Sequence, residues 1–244
     1  MKSVLAVSMH KAGSSIADLI LVDFMRAKGY EIDRIATKAW KSPLAAPDFF
    51  LQYQSSIKTD GVYYGIARHP GTHDLNILPK LRIIAQIRDP RDCLVSAYFS
   101  LSGSHALPAA PEKRARFVER RAQTQALGLD NYVLQEADDY LMRMDKIRKI
   151  VETHPDGLLL KYETMVCNTD LWLTRISEFL EQPLSEALLH QVQDKADFSV
   201  AVEDAARHKR QVTPGDHKRK LKPETIVRLN DILGPVLREF DYAT

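Results

Sequence analysis

The sequence predicts an α/β fold of three layers, a central parallel sheet of about four to five strands covered by helices on both faces. Three observations carry this. Short apolar runs recur along the chain, amphipathic segments of helical length separate them, and polar turns bearing a cation follow two of the runs. The 244 residues suit one domain, 1–244, with ample length to bury a core. A hydrophobic content of 45% and a charged content of 27% are ordinary for a soluble globular chain, and a formal charge of +2 argues against a strongly basic nucleic-acid binder.

Strand-like runs lie at 4–8, 61–66, 82–87 and 157–161, with a further short one near 31–35. Helical patterns fill 15–28, 91–101, a long stretch within 113–151, then 171–180, 185–192 and 224–240. Pro90 marks a helix start. Two stretches read as mobile loops. Residues 102–111 are rich in Ser, Gly, Ala and Pro, and 199–221 lack an apolar period while carrying Arg207, Lys209, Arg210, Lys218, Arg219 and Lys220. By composition that basic run is a solvated loop, whereas beside a phosphate site such a run can close on the anion as a lid.

The turn after the first strand, Ser8-Met9-His10-Lys11-Ala12-Gly13-Ser14-Ser15, leads straight into a helix. Backbone N–H groups and the positive end of the helix dipole make such a junction an anion site. It is not a Walker A loop, because Lys11 precedes Gly13 where that motif places Lys after its second Gly. A second run, RIIAQIRDPRDCLVSAYFS from Arg82, puts Arg88 at the carboxyl end of a strand and Ser96 eight residues on, in the next helix. A guanidinium fork and a hydroxyl there suit a second phosphate.

These two runs resemble the sulfotransferases that use 3′-phosphoadenosine 5′-phosphosulfate (PAPS). In that family a Lys-x-Gly-Thr/Ser-Thr/Ser loop holds the 5′-phosphosulfate, and an Arg-x-Pro-x-Asp run with a later Ser holds the 3′-phosphate. Lys11, Gly13, Ser14 and Ser15, then Arg88, Pro90, Asp92 and Ser96, match in order. Ala67 to Pro70 resembles the family's Lys-Thr-His-x-Pro stretch, Leu158 to Met165 its Tyr-Glu-x-Met element, and Arg210 to Leu221 its late Arg-Lys-Gly loop. The resemblance implies a P-loop nucleotide-hydrolase-like fold and PAPS as co-substrate, with 3′-phosphoadenosine 5′-phosphate (PAP) as product and no metal. The implied donor-binding residues are Lys11, Ala12, Gly13, Ser14, Ser15, Ile16, Arg88, Ser96, Tyr162, Phe198 and Arg210. Departures stand at Ile16, where an aromatic is usual, and at Gln211, Val212 and His217 in the late loop. Lys222-Pro223 replaces the Thr-Val of a known dimerisation stretch, so that dimer mode is unsupported. The ending, from Ile232 to Tyr242, leans towards bacterial members.

Sulfuryl transfer needs charge stabilised on the leaving phosphate and a proton taken from the acceptor. Lys11 suits the first task. His69 is the expected base, with His73, Asp74 and His105 as rivals, while His10 reads as a wall of the donor site. The expected acceptor is a hydroxyl of a carbohydrate or small molecule. The cations Lys113, Arg114, Arg116, Arg120 and Arg121 either greet an acidic acceptor or form a solvated helix face. Tyr63, Tyr64 and Phe99 either line an acceptor pocket or belong to the core. Two other readings are a P-loop kinase-like nucleotide enzyme and a non-catalytic nucleotide-binding protein of the same fold. Cys93 and Cys167 lack CxxC spacing, so a reducing, cytoplasmic setting without a disulfide is expected, and no stretch reaches membrane-spanning length.

Overall fold

The apolar runs become five strands: β1 (Val4–Ser8), β2 (Glu31–Ile32), β3 (Val62–Ala67), β4 (Arg82–Ile87) and β5 (Gly157–Lys161). They form one parallel sheet in the order β2-β3-β1-β4-β5. Every residue of β1 and β3 is buried, as expected for central strands covered on both faces. The coordinates are a computed structural model that describes residues 1–105, 107, 111–193, 195, 196, 198 and 212–243. The chain divides into two compact units, Met1–Arg88 with Arg143–Asp197 and Asp89–Met142 with Phe198–Thr244.

The first unit holds the whole sheet. Helix α1 (Ser14–Ala27) buries Ala17, Ile20, Leu21, Phe24 and Met25. Two short helices, α2 (Ile35–Lys41) and α3 (Ala46–Tyr53), precede β3 and have no counterpart in the sequence prediction. In β3 the register against β1 slips between Tyr63 and Ile66, where Gly65 adopts φ +74°. This bulge frees the Ile66 N–H, which donates to Asp18 Oδ1 at 3.1 Å, and Tyr63 Oη donates to the same oxygen at 2.9 Å. Tyr63 and Tyr64 are core residues, which decides between their two sequence readings.

Beyond β5 come α7 (Tyr162–Cys167), α8 (Thr169–Leu180) and α9 (Glu186–Gln193). Trp172 of α8 is fully buried and its indole N–H donates to Gln86 Oε1 of β4 at 3.2 Å.

The second unit is helical: α4 (Pro90–Phe99), α5 (Pro111–Gln135), α10 (Asp216–Lys220) and α11 (Pro223–Glu239). The chain passes between the units within α6 (Ala137–Thr153). The single long helix expected within 113–151 is thus two, and α5 is itself kinked at Gly128, which leaves helical geometry with φ 71° and ψ 167°. Arg91 is 2% exposed and forks onto Asp89 through Nε at 3.0 Å and Nη2 at 2.7 Å. It also reaches Asn230 Oδ1 and the carbonyl of Ala243, pinning the C-terminus.

Residues 100–104 form a single π-helical turn, and Arg121 donates to the carbonyls of Leu101 and His105. Of the loop expected at 199–221, residues 199–211, including Arg207, Lys209, Arg210 and Gln211, lie outside the described residues. Its end is not a loop: α10 occupies Asp216–Lys220.

Candidate active site

The sheet's central strand ends at Ser8, and the chain turns through Met9 to Gly13 into α1. Met9 and Ala12 are fully buried and anchor the turn. Lys11 and Gly13 both adopt φ 70°, in the left-handed region. A lysine there carries backbone strain of order 1 kcal/mol, the kind of cost that clusters at functional loops. Gly13 is the N-cap of α1, no side chain caps the helix, and its first turn carries no acid. Its leading N–H groups and dipole end suit an anion. Gln86 ties the turn to β4 by donating to the Ala12 carbonyl at 3.4 Å.

The neighbouring strands each bring an arginine to this turn. Arg88, one residue beyond β4, is buried and donates from Nη1 to the Lys11 carbonyl at 3.2 Å. Its guanidinium lies over the Tyr162 ring, 4.3 Å from the centroid. Tyr162, at the start of α7, meets Gly13 edge-on. Arg68, one residue beyond β3, donates from Nε to Ser14 Oγ at 2.6 Å and from Nη2 to Ser15 Oγ at 3.0 Å. Burial pulls its guanidinium below the ordinary arginine value, with Asp18 opposing. Sequence reasoning missed Arg68, because its role depends on β3 ending beside α1. The only signal was its place next to His69, at a strand end.

Among expected site residues, Lys11, Ala12, Gly13, Ser14, Ser15 and Ile16 therefore share one turn and helix start, joined there by Arg88 and Tyr162. Ile16 is half-buried in the first turn of α1. Ser96 and Phe198 belong to the second unit, Ser96 in α4 one turn after Asp92 and Phe198 half-buried. Arg210 lies outside the described residues.

His69 follows Arg68 and caps a 3₁₀ turn, Pro70–Asp74. Its Nδ1 accepts the Gly71 N–H at 3.0 Å, and its ring lies 5.5 Å from Phe50. Burial, then the charges of Arg143 and Lys146, push its pKa below the ordinary histidine value, so the ring is neutral near pH 7. Of its rivals, His73 is buried and held lower still, at about 4, chiefly by burial. Asp74 is ion-paired with Lys146. His105 is in the second unit, stacked on Phe117.

Also in the second unit, Asp92 is fully buried. It accepts the Gly215 N–H at 2.8 Å, the His217 N–H at 2.9 Å and His217 Nδ1 at 2.7 Å. Phe99 carries Lys220 over its ring at 5.2 Å. Of the basic run on α5, Arg114 and Arg116 are exposed, while Arg120 faces Glu136 at 3.9 Å. Among the described residues no group of three or more metal-ligating side chains forms, and no helix is long and apolar enough to cross a membrane.

The family profile described as the sulfotransferase domain matches residues 72–241, more than half of the chain. The chain belongs to the sulfotransferase domain family. Sulfuryl transfer is the chemistry of that family, and the fold agrees. A mouse sulfotransferase complexed with PAP superposes with a TM-score of 0.63 at 16% identity, covering 98% of this chain and 85% of that one. A retinol dehydratase in complex with retinol and PAP gives 0.61 at 12% identity, covering 99% and 83%. The sulfotransferase domain from the curacin biosynthetic pathway gives 0.51 at 12% identity, covering 100% and 99%. No individually curated sequence matches this sulfotransferase.

Proposed function

We propose that this sulfotransferase takes its sulfuryl group from PAPS and passes it to a hydroxyl of a carbohydrate or small-molecule acceptor. The observation that carries this reading is one left-handed, uncapped anion turn bearing Lys11, with Arg88 set against it from the end of β4. A donor phosphorylated at both its 5′ and 3′ ends needs two cationic stations, and the residues present fit that need. The PAP in the mouse enzyme, and the PAP and retinol in the retinol dehydratase, support the same kind of donor and a small acceptor.

PAPS supplies, when bound, a sulfuryl group on a phosphate that can leave. The N–H groups at Ser14 and Ser15, with their hydroxyls, would hold the 5′ end. Arg88, braced on Tyr162, serves the 3′-phosphate, with Ser96, Phe198 and Arg210 as the further expected contacts. Lys11 stabilises charge that grows on the leaving oxygen, an effect worth most in the transition state. His69 receives the acceptor's proton. A neutral ring that accepts at Nδ1 carries its own hydrogen at Nε2, so His69 becomes a base at Nε2 only by releasing the Gly71 N–H. That release costs about 1 kcal/mol, small beside what a general base contributes. A reducing, cytoplasmic setting, expected from the cysteine spacing, belongs to the same proposal.

Thermal shift with PAP, AMP and ATP-Mg²⁺ tests the reading. PAP should raise the melting temperature most and AMP far less, since only PAP engages the Arg88 station. Equal shifts from PAP and AMP, or a larger one from ATP-Mg²⁺, would overturn it.

A further inference from the structure

The guanidinium of Arg68 is clasped to two neutral hydroxyls, those of Ser14 and Ser15, at a helix start whose N–H groups no side chain caps. The geometry is specific. Nε and Nη2 lie on one edge of the planar fork, and they address two adjacent serines at once. Hydroxyls are weak partners for a half-buried cation, whereas a phosphate or sulfonate oxygen is a strong one. The strand end that carries Arg68 is fixed by the bulge at Gly65, where Asp18 catches the Ile66 N–H at 3.1 Å. A Cβ at Gly65 would come within 3.3 Å of Arg34 Cγ, so the bulge is also close-packed. The backbone beneath Arg68 is thus held while its side chain rests on partners that another anion acceptor can replace.

We infer that Arg68 is a donor-binding residue whose clasp on Ser14 and Ser15 keeps the place of the donor's 5′-phosphosulfate. This rests on the donor site proposed above and adds a residue to it. When the anionic end enters, the same nitrogens transfer to its oxygens, and the two hydroxyls turn to donate to it. Lys11 and Arg68 then neutralise the 5′ end from opposite sides of the sequence, one from the turn and one from β3, while Arg88 serves the 3′ end alone. The phosphosulfate spreads its charge over a phosphate and a sulfonate, one anionic group for each of the two cations.

Titration calorimetry with PAP, 5′-AMP and 3′-AMP tests this, using wild type, Arg68→Ala, Arg68→Gln and the Ser14→Ala/Ser15→Ala double variant. Arg68→Ala should weaken PAP and 5′-AMP at least tenfold and leave 3′-AMP unchanged, because 3′-AMP lacks the 5′-phosphate. Arg68→Gln can still hydrogen-bond a serine but carries no charge, so it should lose as much as Arg68→Ala. Recovery of wild-type PAP affinity in Arg68→Gln would reduce Arg68 to a strut for the serines and overturn the inference. An equal loss for 3′-AMP would likewise overturn it, as general damage to the fold. If the double-serine variant weakens PAP while Arg68→Ala does not, the donor site stands and Arg68 has no part in it. If neither weakens PAP, the donor site itself fails, and the inference with it.

Discussion

Gly13 and Tyr162 are in contact so close that a Cβ on residue 13 would lie 2.6 Å from Cδ2 of the tyrosine. The same ring carries the Arg88 guanidinium, so the turn, the aromatic and the arginine are one packed unit.

Gly13→Ala should therefore fail twice over. Its φ of 70° disfavours any side chain, and the new methyl meets both Tyr162 and Met165 Cε at 2.9 Å. Together these cost about 2–5 kcal/mol. Urea unfolding of Gly13→Ala should show that loss, and adding Tyr162→Leu should recover the packing part only. Wild-type stability in the single variant would show that the turn has another conformation open to it.

His69→Ala should cut turnover about 10²–10⁴-fold while leaving PAP affinity within a factor of about three. Its ring touches Gly71 and Phe50 rather than the anion turn. Because its pKa sits below the ordinary value of 6.5, wild-type activity should persist as the pH falls through 6.5 and decline only at lower pH. Normal turnover in His69→Ala, with collapse in His73→Ala or His105→Ala, would move the base elsewhere.

His73 makes stability depend on pH. Its folded-state value of about 4 lies below the ordinary 6.5, so the unfolded chain takes up the proton first. Stability is then complete above about 6.5, falls as the pH drops towards about 4, and levels off below. Between pH 7 and pH 5 the loss is about 2 kcal/mol. Denaturation of wild type and His73→Leu at the two pH values should show this slope in the first and not in the second. Parallel slopes would clear His73 of the effect.

Asp92→Ala removes the acceptor for two backbone N–H groups and for His217 Nδ1, all in a buried setting. A loss of about 3–5 kcal/mol is expected. His217→Ala keeps both backbone bonds and should lose less than half of that. Equal losses would mean that the histidine ring, and not the two N–H groups, is the main tie.

Four of the strands were legible because each was an apolar run of strand length, β2 being only Glu31–Ile32, and the turn from Ser8 to Ser15 was legible because its composition is local. Arg88 was legible from its place at a strand's carboxyl end and Tyr162 through the family resemblance, and the structure sets both against the turn. What escaped shares one cause: it depends on distant partners. Arg68 meets serines 54 and 53 residues earlier. The helix at Asp216–Lys220 rests on Asp92 far upstream, although its own run of charges has no apolar period. The break between α5 and α6 falls at Glu136, where no Gly or Pro announces it.

The strand order has a consequence for how this protein comes into being. β1 is made first yet sits in the middle, between β3 and β4, and Tyr162 follows the last strand of all. A growing chain exposes its anion turn on the ribosome long before either arginine, or the aromatic beneath, has been synthesised. Such far-separated pairings close slowly, since loop entropy is spent before contacts repay it. The turn is therefore completed late in biogenesis, and an incomplete chain that stops short of β5 has both arginines but lacks the Tyr162 ring on which Arg88 packs.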